Sequence, residues 1–236
     1  MAVQAVDGAW WNESVKEVGM QAMDRTLSTD ADWSQILNSG REELSSAVQV
    51  SGIKLNAAQQ VLDLGCGVGR VSFPLAEAVG QVVGVDISAS LIEIARNANL
   101  ARNVHFEVIA GSPIQPESEA GYDIVFANEV FYYLNPSTLT GYFSDAFRLL
   151  RSGGQFVFQL NMEPIPLQTR LSWRLRSVMY YCGIRSWRGW SNSPGFTRQY
   201  HRIETVRESL DRIGFRMERI AIGRSLRQTW FVAVKP

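Results

Sequence analysis

Apolar residues along this chain follow two rhythms. Short apolar runs at Val61-Leu62-Asp63-Leu64, Val82-Val83-Gly84-Val85, Ile124-Val125-Phe126-Ala127, Phe156-Val157-Phe158 and Trp230-Phe231-Val232-Ala233-Val234 read as buried strands. Between them, sets such as Leu91, Ile92 and Ala95, or Ile203, Val206, Leu210 and Ile213, recur at helical spacing. Ser88 is placed to cap the first of these helices. Val104, Phe106 and Val108 alternate with His105, Glu107 and Ile109, which predicts a strand with one face less buried and His105 on the sheet edge. Strand and helix alternate throughout residues 57–160, which predicts a doubly wound α/β sheet. Ahead of it, Val15, Val18 and Ala22 keep helical spacing beside Met20 and Met23, and Leu44, Ala47 and Val48 mark a second helix after Gly40. Residues 1–56 therefore read as an N-terminal helical lid on a single domain. Pro74 falls late enough in the helix after the first strand to kink it.

Residues 161–200 break the pattern. Pro164 and Pro166 mark an irregular exit from the fifth strand. Arg170, Trp173, Arg174, Arg176, Tyr180, Tyr181, Arg185, Trp187, Arg188 and Trp190 follow, with Leu171, Leu175 and Val178 as a helical face. The segment admits three readings: a pocket for an aromatic or anionic molecule, an amphipathic core helix with solvated arginines, or an interfacial or partner-binding helix. Residues 201–236 then supply the last helix and closing strands.

The first strand runs into Gly65-Cys66-Gly67-Val68-Gly69-Arg70, and the second ends on Asp86. Glycines let a ligand approach bare backbone, and a carboxylate closing the next strand can accept hydrogen bonds from both hydroxyls of a ribose. A dinucleotide fingerprint would place its last glycine where this chain has Arg70. Asp63 suits a ligand that carries an ammonium better than one that carries a pyrophosphate. The spacing thus favours a nucleoside with a zwitterionic tail, S-adenosylmethionine, over a nicotinamide dinucleotide.

The chain has 236 residues, enough for one α/β domain with insertions, and its 23 basic and 23 acidic side chains cancel. That balance argues against bulk nucleic acid as substrate. Two cysteines, Cys66 and Cys182, are too few for a disulfide framework, and no apolar run is long enough to span a bilayer. A cytoplasmic protein with no metal requirement is expected, as monomer or homodimer.

Residues 61–70 resemble motif I of the class I S-adenosylmethionine-dependent methyltransferases. Asn103–Ser112, Tyr122–Leu134, Leu149–Phe158, Gly214-Phe215 and Trp230–Val234 resemble, in order, that family's adenine loop, active-site turn, fifth-strand corner, final helix end and antiparallel last strand. The resemblance implies a seven-stranded, mostly parallel sheet with an antiparallel last strand, and a cap over the active site at 161–200. It implies methyl transfer to an oxygen or nitrogen of a small molecule. Methylation of a peptide end, a non-catalytic donor-binding module and a nicotinamide-dependent reductase are the alternatives. Expected cofactor contacts are Asp63, Gly65, Cys66, Gly67, Gly69, Asp86, Ile87, Ser112, Asn128 and Glu129, with Arg41 for the cofactor carboxylate because related sequences often use an arginine there. Ser112 stands where many members carry an acid, which puts the adenine contact in doubt. Trp10 and Trp11 are candidates to close a lid. Candidate catalytic groups are His201, a general base of near-neutral pKa or else a polar cap, with Glu129 and Tyr133.

Overall fold

A computed structural model describes residues 11, 30–114, 121–184, 186–187, 190–191 and 198–236. The helix expected around Val15, Val18 and Ala22, and Trp10, lie outside the described residues. The second N-terminal helix, α1, spans Trp33–Ser51 and starts earlier than its apolar set suggests. The reason is local. Asp32 caps it by accepting from the Gln35 N–H, while the Gln35 side chain accepts from the Asp32 N–H, a reciprocal capping box. Left-handed Gly52 ends it.

The core follows the expected alternation: β1 (Gln60–Leu64), α2 (Ser72–Ala78), β2 (Gln81–Asp86), α3 (Ala89–Ala98), β3 (Val104–Val108), β4 (Tyr122–Ala127), α4 (Pro136–Leu149) and β5 (Leu150–Leu160). Ser88 caps α3 as expected, accepting from the Leu91 N–H. Pro74 is the third residue of α2, inside the first turn, where its missing N–H has no intrahelical partner to lose. After β5 come α5 (Leu167–Tyr181), a two-residue ribbon of β6 (Ser186–Trp187) and β7 (Trp190–Ser191), α6 (Ile203–Ile213), β8 (Arg216–Ile222) and β9 (Thr229–Val234).

Seven strands form one sheet in the order β3-β2-β1-β4-β5-β9-β8. β1 to β5 pair in parallel, and β9 runs antiparallel between β5 and β8. This is the expected doubly wound sheet with an antiparallel closing strand. One face buries Phe156 and Phe158 against Phe143 and Leu149 of α4 and Leu210 of α6. The other buries Val61, Phe126, Val157 and Trp230 against Leu44 and Ala47 of α1 and Leu75 of α2. Edge strand β3 departs from strict alternation: Glu107 is buried and Val108 is 47% exposed.

Because the chain winds outward from β1 on both sides, the segments leaving β1 and β4 diverge and leave a crevice at their carboxyl ends. α1 closes one side of it by an unusually close approach. Gly40, buried mid-helix, packs on the backbone of Arg70, and a Cβ there would overlap the Arg70 carbonyl oxygen. Helix propensity alone predicts that Gly40→Ala stabilises by about 1 kcal/mol. The packing predicts the opposite: a loss of about 1–3 kcal/mol in urea unfolding, since backbone rather than a mobile side chain must yield.

Candidate active site

The glycine turn joins β1 to α2 through three left-handed residues, Gly65, Gly67 and Gly69, with φ of 76°, 57° and 84°. L side chains rarely take these values, so the turn requires glycine at each position. The three differ in purpose. Gly65 and Gly67 line the crevice, whereas Gly69 does not. A Cβ on Gly69 would come within 2.7 Å of Phe106 and 2.9 Å of Phe73, so this glycine serves aromatic packing beneath the turn rather than a ligand. The Gly65 and Cys66 N–H groups both donate to the Val85 carbonyl, which clamps the turn to the end of β2.

Asp86, 8% exposed, completes that clamp. Its Oδ2 accepts from the Gly67 N–H and its Oδ1 from the Ser88 N–H, each at 2.9 Å. Burial pushes its carboxyl above the usual range while the Ser88 and Gly67 amides pull it back. The Ile87 amide lowers it as well; a carboxylate has about four acceptor sites, so acceptor capacity remains toward the crevice that Asp86 lines. Ile87, Leu91 and Ile109 form an apolar wall beside it, a slot suited to a planar base.

Asp63, 3% exposed at the end of β1, accepts from the Ser72 hydroxyl at 2.6 Å. Desolvation raises its carboxyl to about 6, with Ser72 lowering it and the Asp86 charge adding to the rise. Arg70 follows the turn, also buried, donating from Nη1 to Ser39 Oγ of α1 and standing 3.9 Å from Glu129. Asn128 and Glu129 leave β4 together. Glu129 takes a left-handed φ of 58°, unusual for a non-glycine residue and common at functional turns. Asn128 Oδ1 is buried without a hydrogen-bond partner among the described residues. Glu43 of α1 reaches the same group; burial, then the Glu129 charge, raise its carboxyl against the pull of Arg70 and a hydrogen bond from Asn128. This end of the crevice thus offers one buried guanidinium, several acid oxygens and an unfilled amide oxygen, a set that suits a zwitterion.

Trp11, Val130, Tyr133, Leu134 and Tyr142 complete the lining. Trp11 meets Tyr133 edge to face at 5.9 Å, so the tryptophan expected to close the site does lie against it. Burial, then the Asp86 and Asp145 charges, push the Tyr142 phenol up to about 12, which keeps it a neutral hydrogen-bonding group. The Cys66 thiol lines the crevice too, and burial holds it well above its ordinary range, so it is an inert wall and no nucleophile.

Asp63, Gly65, Cys66, Gly67, Asp86, Ile87, Asn128, Glu129 and Tyr133 are brought together as expected. Besides Gly69, three expected residues are not. Arg41 projects from the outer side of α1, paired with Glu77 at 2.6 Å and with Asn38; it lies on the wrong helix face, and Arg70 stands in the crevice instead. Ser112 turns away and donates to Asp145 at 2.7 Å, leaving the base slot to Ile109 and Tyr142. His201 is 5% exposed, its N–H tied to the Asn161 carbonyl at the end of β5, and its ring stands beside the Leu134 carbonyl rather than in the crevice. Burial lowers its pKa, which leaves a neutral ring without direct access to an acceptor. Arg70 and Tyr142, with the apolar wall residues Leu91, Ile109, Val130 and Leu134, line the crevice without having been marked by spacing.

Residues 61–154 match a family described as a methyltransferase domain. A demethylmenaquinone methyltransferase of Tropheryma whipplei is 30% identical over 143 residues, 58% of this chain and 53% of that protein. A phosphoethanolamine N-methyltransferase of Caenorhabditis elegans is 32% identical over 126 residues, 51% of this chain and 26% of that one. The chain spans about half, or less, of the length of the curated relatives it matches. A magnesium protoporphyrin IX methyltransferase of Synechocystis, crystallised with S-adenosylhomocysteine, superposes with a TM-score of 0.64 at 20% identity, covering 98% of this chain and 100% of that one. The matched segment contains the glycine turn, Asp86 and the β4 turn, the parts that build the crevice. Residues 61–154 are thus similar to a methyltransferase domain, and the whole chain has the fold of that Synechocystis enzyme.

Proposed function

We propose that this protein transfers the methyl group of S-adenosylmethionine to an oxygen or nitrogen atom of a small molecule. The observation that carries the reading is Asp86: a buried carboxylate on the crevice wall, held by backbone amides, with acceptor capacity to spare for hydroxyls in the crevice. Two vicinal hydroxyls satisfy that geometry. The bare backbone of Gly65 and Gly67 gives the thioether chain room to pass, and Ile87, Leu91 and Ile109 receive the adenine. Arg70 takes the cofactor carboxylate. Asp63 and the unfilled Asn128 Oδ1 take its ammonium.

The bound cofactor supplies an electrophilic methyl on a sulfonium, and the protein's work is mostly alignment and exclusion of water, which is worth up to about 7–11 kcal/mol. Tyr133, Trp11 and Leu134 wall the acceptor side and keep water off the reacting atoms. Glu129, pinned by its left-handed backbone, is the group in the crevice able to hold an acceptor proton. The relatives above are named for demethylmenaquinone, phosphoethanolamine and magnesium protoporphyrin IX, all small molecules, and the net-neutral chain supports the same class of acceptor.

Calorimetry tests the cofactor assignment. S-adenosylhomocysteine binds and NADH does not; Asp86→Ala weakens binding roughly 100-fold, through two charge-assisted hydrogen bonds. Arg70→Ala costs roughly tenfold or more, while Arg41→Ala leaves affinity unchanged. Tight NADH binding, or a loss at Arg41 with none at Arg70, overturns the assignment. Turnover of labelled donor against a metabolite panel tests the reaction.

Affinity also depends on pH through Asp63. Only the ionised carboxylate attracts an ammonium, and in the free protein it takes up a proton near pH 6. Affinity is therefore flat on the alkaline side and falls by up to tenfold per unit as pH drops through that value. In Asp63→Asn the profile is flat and low throughout, and a wild-type slope retained in that variant assigns the titration elsewhere.

A further inference from the structure

Helix α5 is built inside out. At 100° per residue, Leu167, Leu171, Leu175 and Val178 fall on one stripe. That stripe faces outward: the four are 67%, 54%, 49% and 59% exposed. The opposite side, with Thr169, Trp173, Arg176 and Tyr180, is the half-buried one, and no residue of the helix is fully buried. A surface helix of a globular domain turns its apolar stripe to the core; here it is turned away. Tyr181, the last residue of the helix, and Ile184 just past it extend the apolar surface.

Charge supplies the second half of the argument. Between residues 164 and 203 there are seven arginines and no acid, in a chain that is otherwise net negative by the same amount. Arg170 and Arg174, both exposed, stand one turn apart beside the leucine stripe. A second copy of this helix would bring arginine rows together without an acid in the segment to neutralise them. A nucleic acid would match the charge and leave the leucines in water. An anionic phospholipid surface matches both, with headgroups against the arginines and the acyl boundary receiving the stripe. The helix is about 22 Å long, and no helix among the described residues is long and apolar enough to cross a membrane. The fitting geometry is a helix lying in the interface plane.

We propose that α5 docks this protein on anionic lipid bilayers. α5 follows the carboxyl end of β5, on the same edge of the sheet as the crevice at β1 and β4. Docking there turns the mouth of the site toward the bilayer, where a lipid-soluble acceptor is concentrated.

Vesicle flotation tests this without any donor or acceptor, so its outcome is separate from that of the methyl-transfer assignment. The wild-type chain floats with phosphatidylcholine vesicles containing phosphatidylglycerol, far less with phosphatidylcholine alone, and is released in part by salt. Leu171→Glu/Leu175→Glu loses the association, and Arg170→Ala/Arg174→Ala weakens it by roughly fivefold per arginine. Both variants keep wild-type circular dichroism and S-adenosylhomocysteine affinity, since the altered side chains face away from the fold. Absence of binding to the anionic vesicles overturns the proposal. So does a wild-type dimer that the leucine variant converts to monomer while neither form floats, which assigns the stripe to a second copy.

Discussion

One buried carboxylate holds the site together. Asp86 ends β2 and reaches across to the Gly67 amide of the turn after β1, while its other oxygen holds the Ser88 amide at the start of α3. The glycine turn after β1 is thereby fixed to the corner between β2 and α3, from which it is 19 residues distant along the chain. Burying a charge is costly unless it is hydrogen-bonded, and the Ser88, Gly67 and Ile87 amides offset that cost only in part, which is why its pKa still lies high. The remaining deficit is a standing preference for further donors. A site poised in this way gains most from a ligand that brings hydroxyls, and the turn need not rearrange to receive it.

The β4 side of the crevice is fixed by a different force. Phe131, fully buried, sits among Phe143, Phe156 and Phe158 with ring centroids 5.8–6.0 Å away. Tyr133, two residues on, faces the crevice. The short 3-10 turn Phe131–Tyr133 thus sends one aromatic into the core and another over the site. Val130 packs on Gly65, where a Cβ would overlap its side chain, so the β4 turn and the glycine turn brace each other. Dispersion and close packing position the aromatic wall at Tyr133; hydrogen bonds position the opposite wall at Asp86 and the glycine turn.

The fold was legible because its signals are local. Apolar runs, Ser88 before an apolar helix and the glycine spacing depend on neighbours within a few residues, and each reappears in the sheet and turn. Within the site, legibility tracked the same distinction. Residues fixed by strand ends, such as Asp63, Asp86 and Asn128, lie where register places them. Those that lie away from the crevice depend on orientation. Arg41 and Gly40 are neighbours in α1, yet one helix step sends Arg41 outward to Glu77 while Gly40 lets the helix settle on Arg70. Ser112 was assigned by analogy with acids and is claimed by Asp145, more than thirty residues downstream. Gly69 carries the motif spacing but answers to Phe73 and Phe106, a contact that no spacing reveals.

The same reasoning explains why the cap differs in kind from the rest. Through most of the described strands and helices, edge strand β3 apart, the burial pattern agrees with the hydrophobic pattern, as a sequence selected for one folded state requires. In α5 the two are opposed, and the opposed stripe lies in a stretch whose charged side chains are all arginines. Neither feature contributes to the stability of the isolated fold: exposed leucines gain nothing from water, and arginines gathered without an acid between residues 164 and 203 repel one another. A segment that is locally costly in two independent ways is accounted for when a single environment relieves both. That environment has to be apolar at one depth and anionic just above it, and a bilayer surface is ordered in that way.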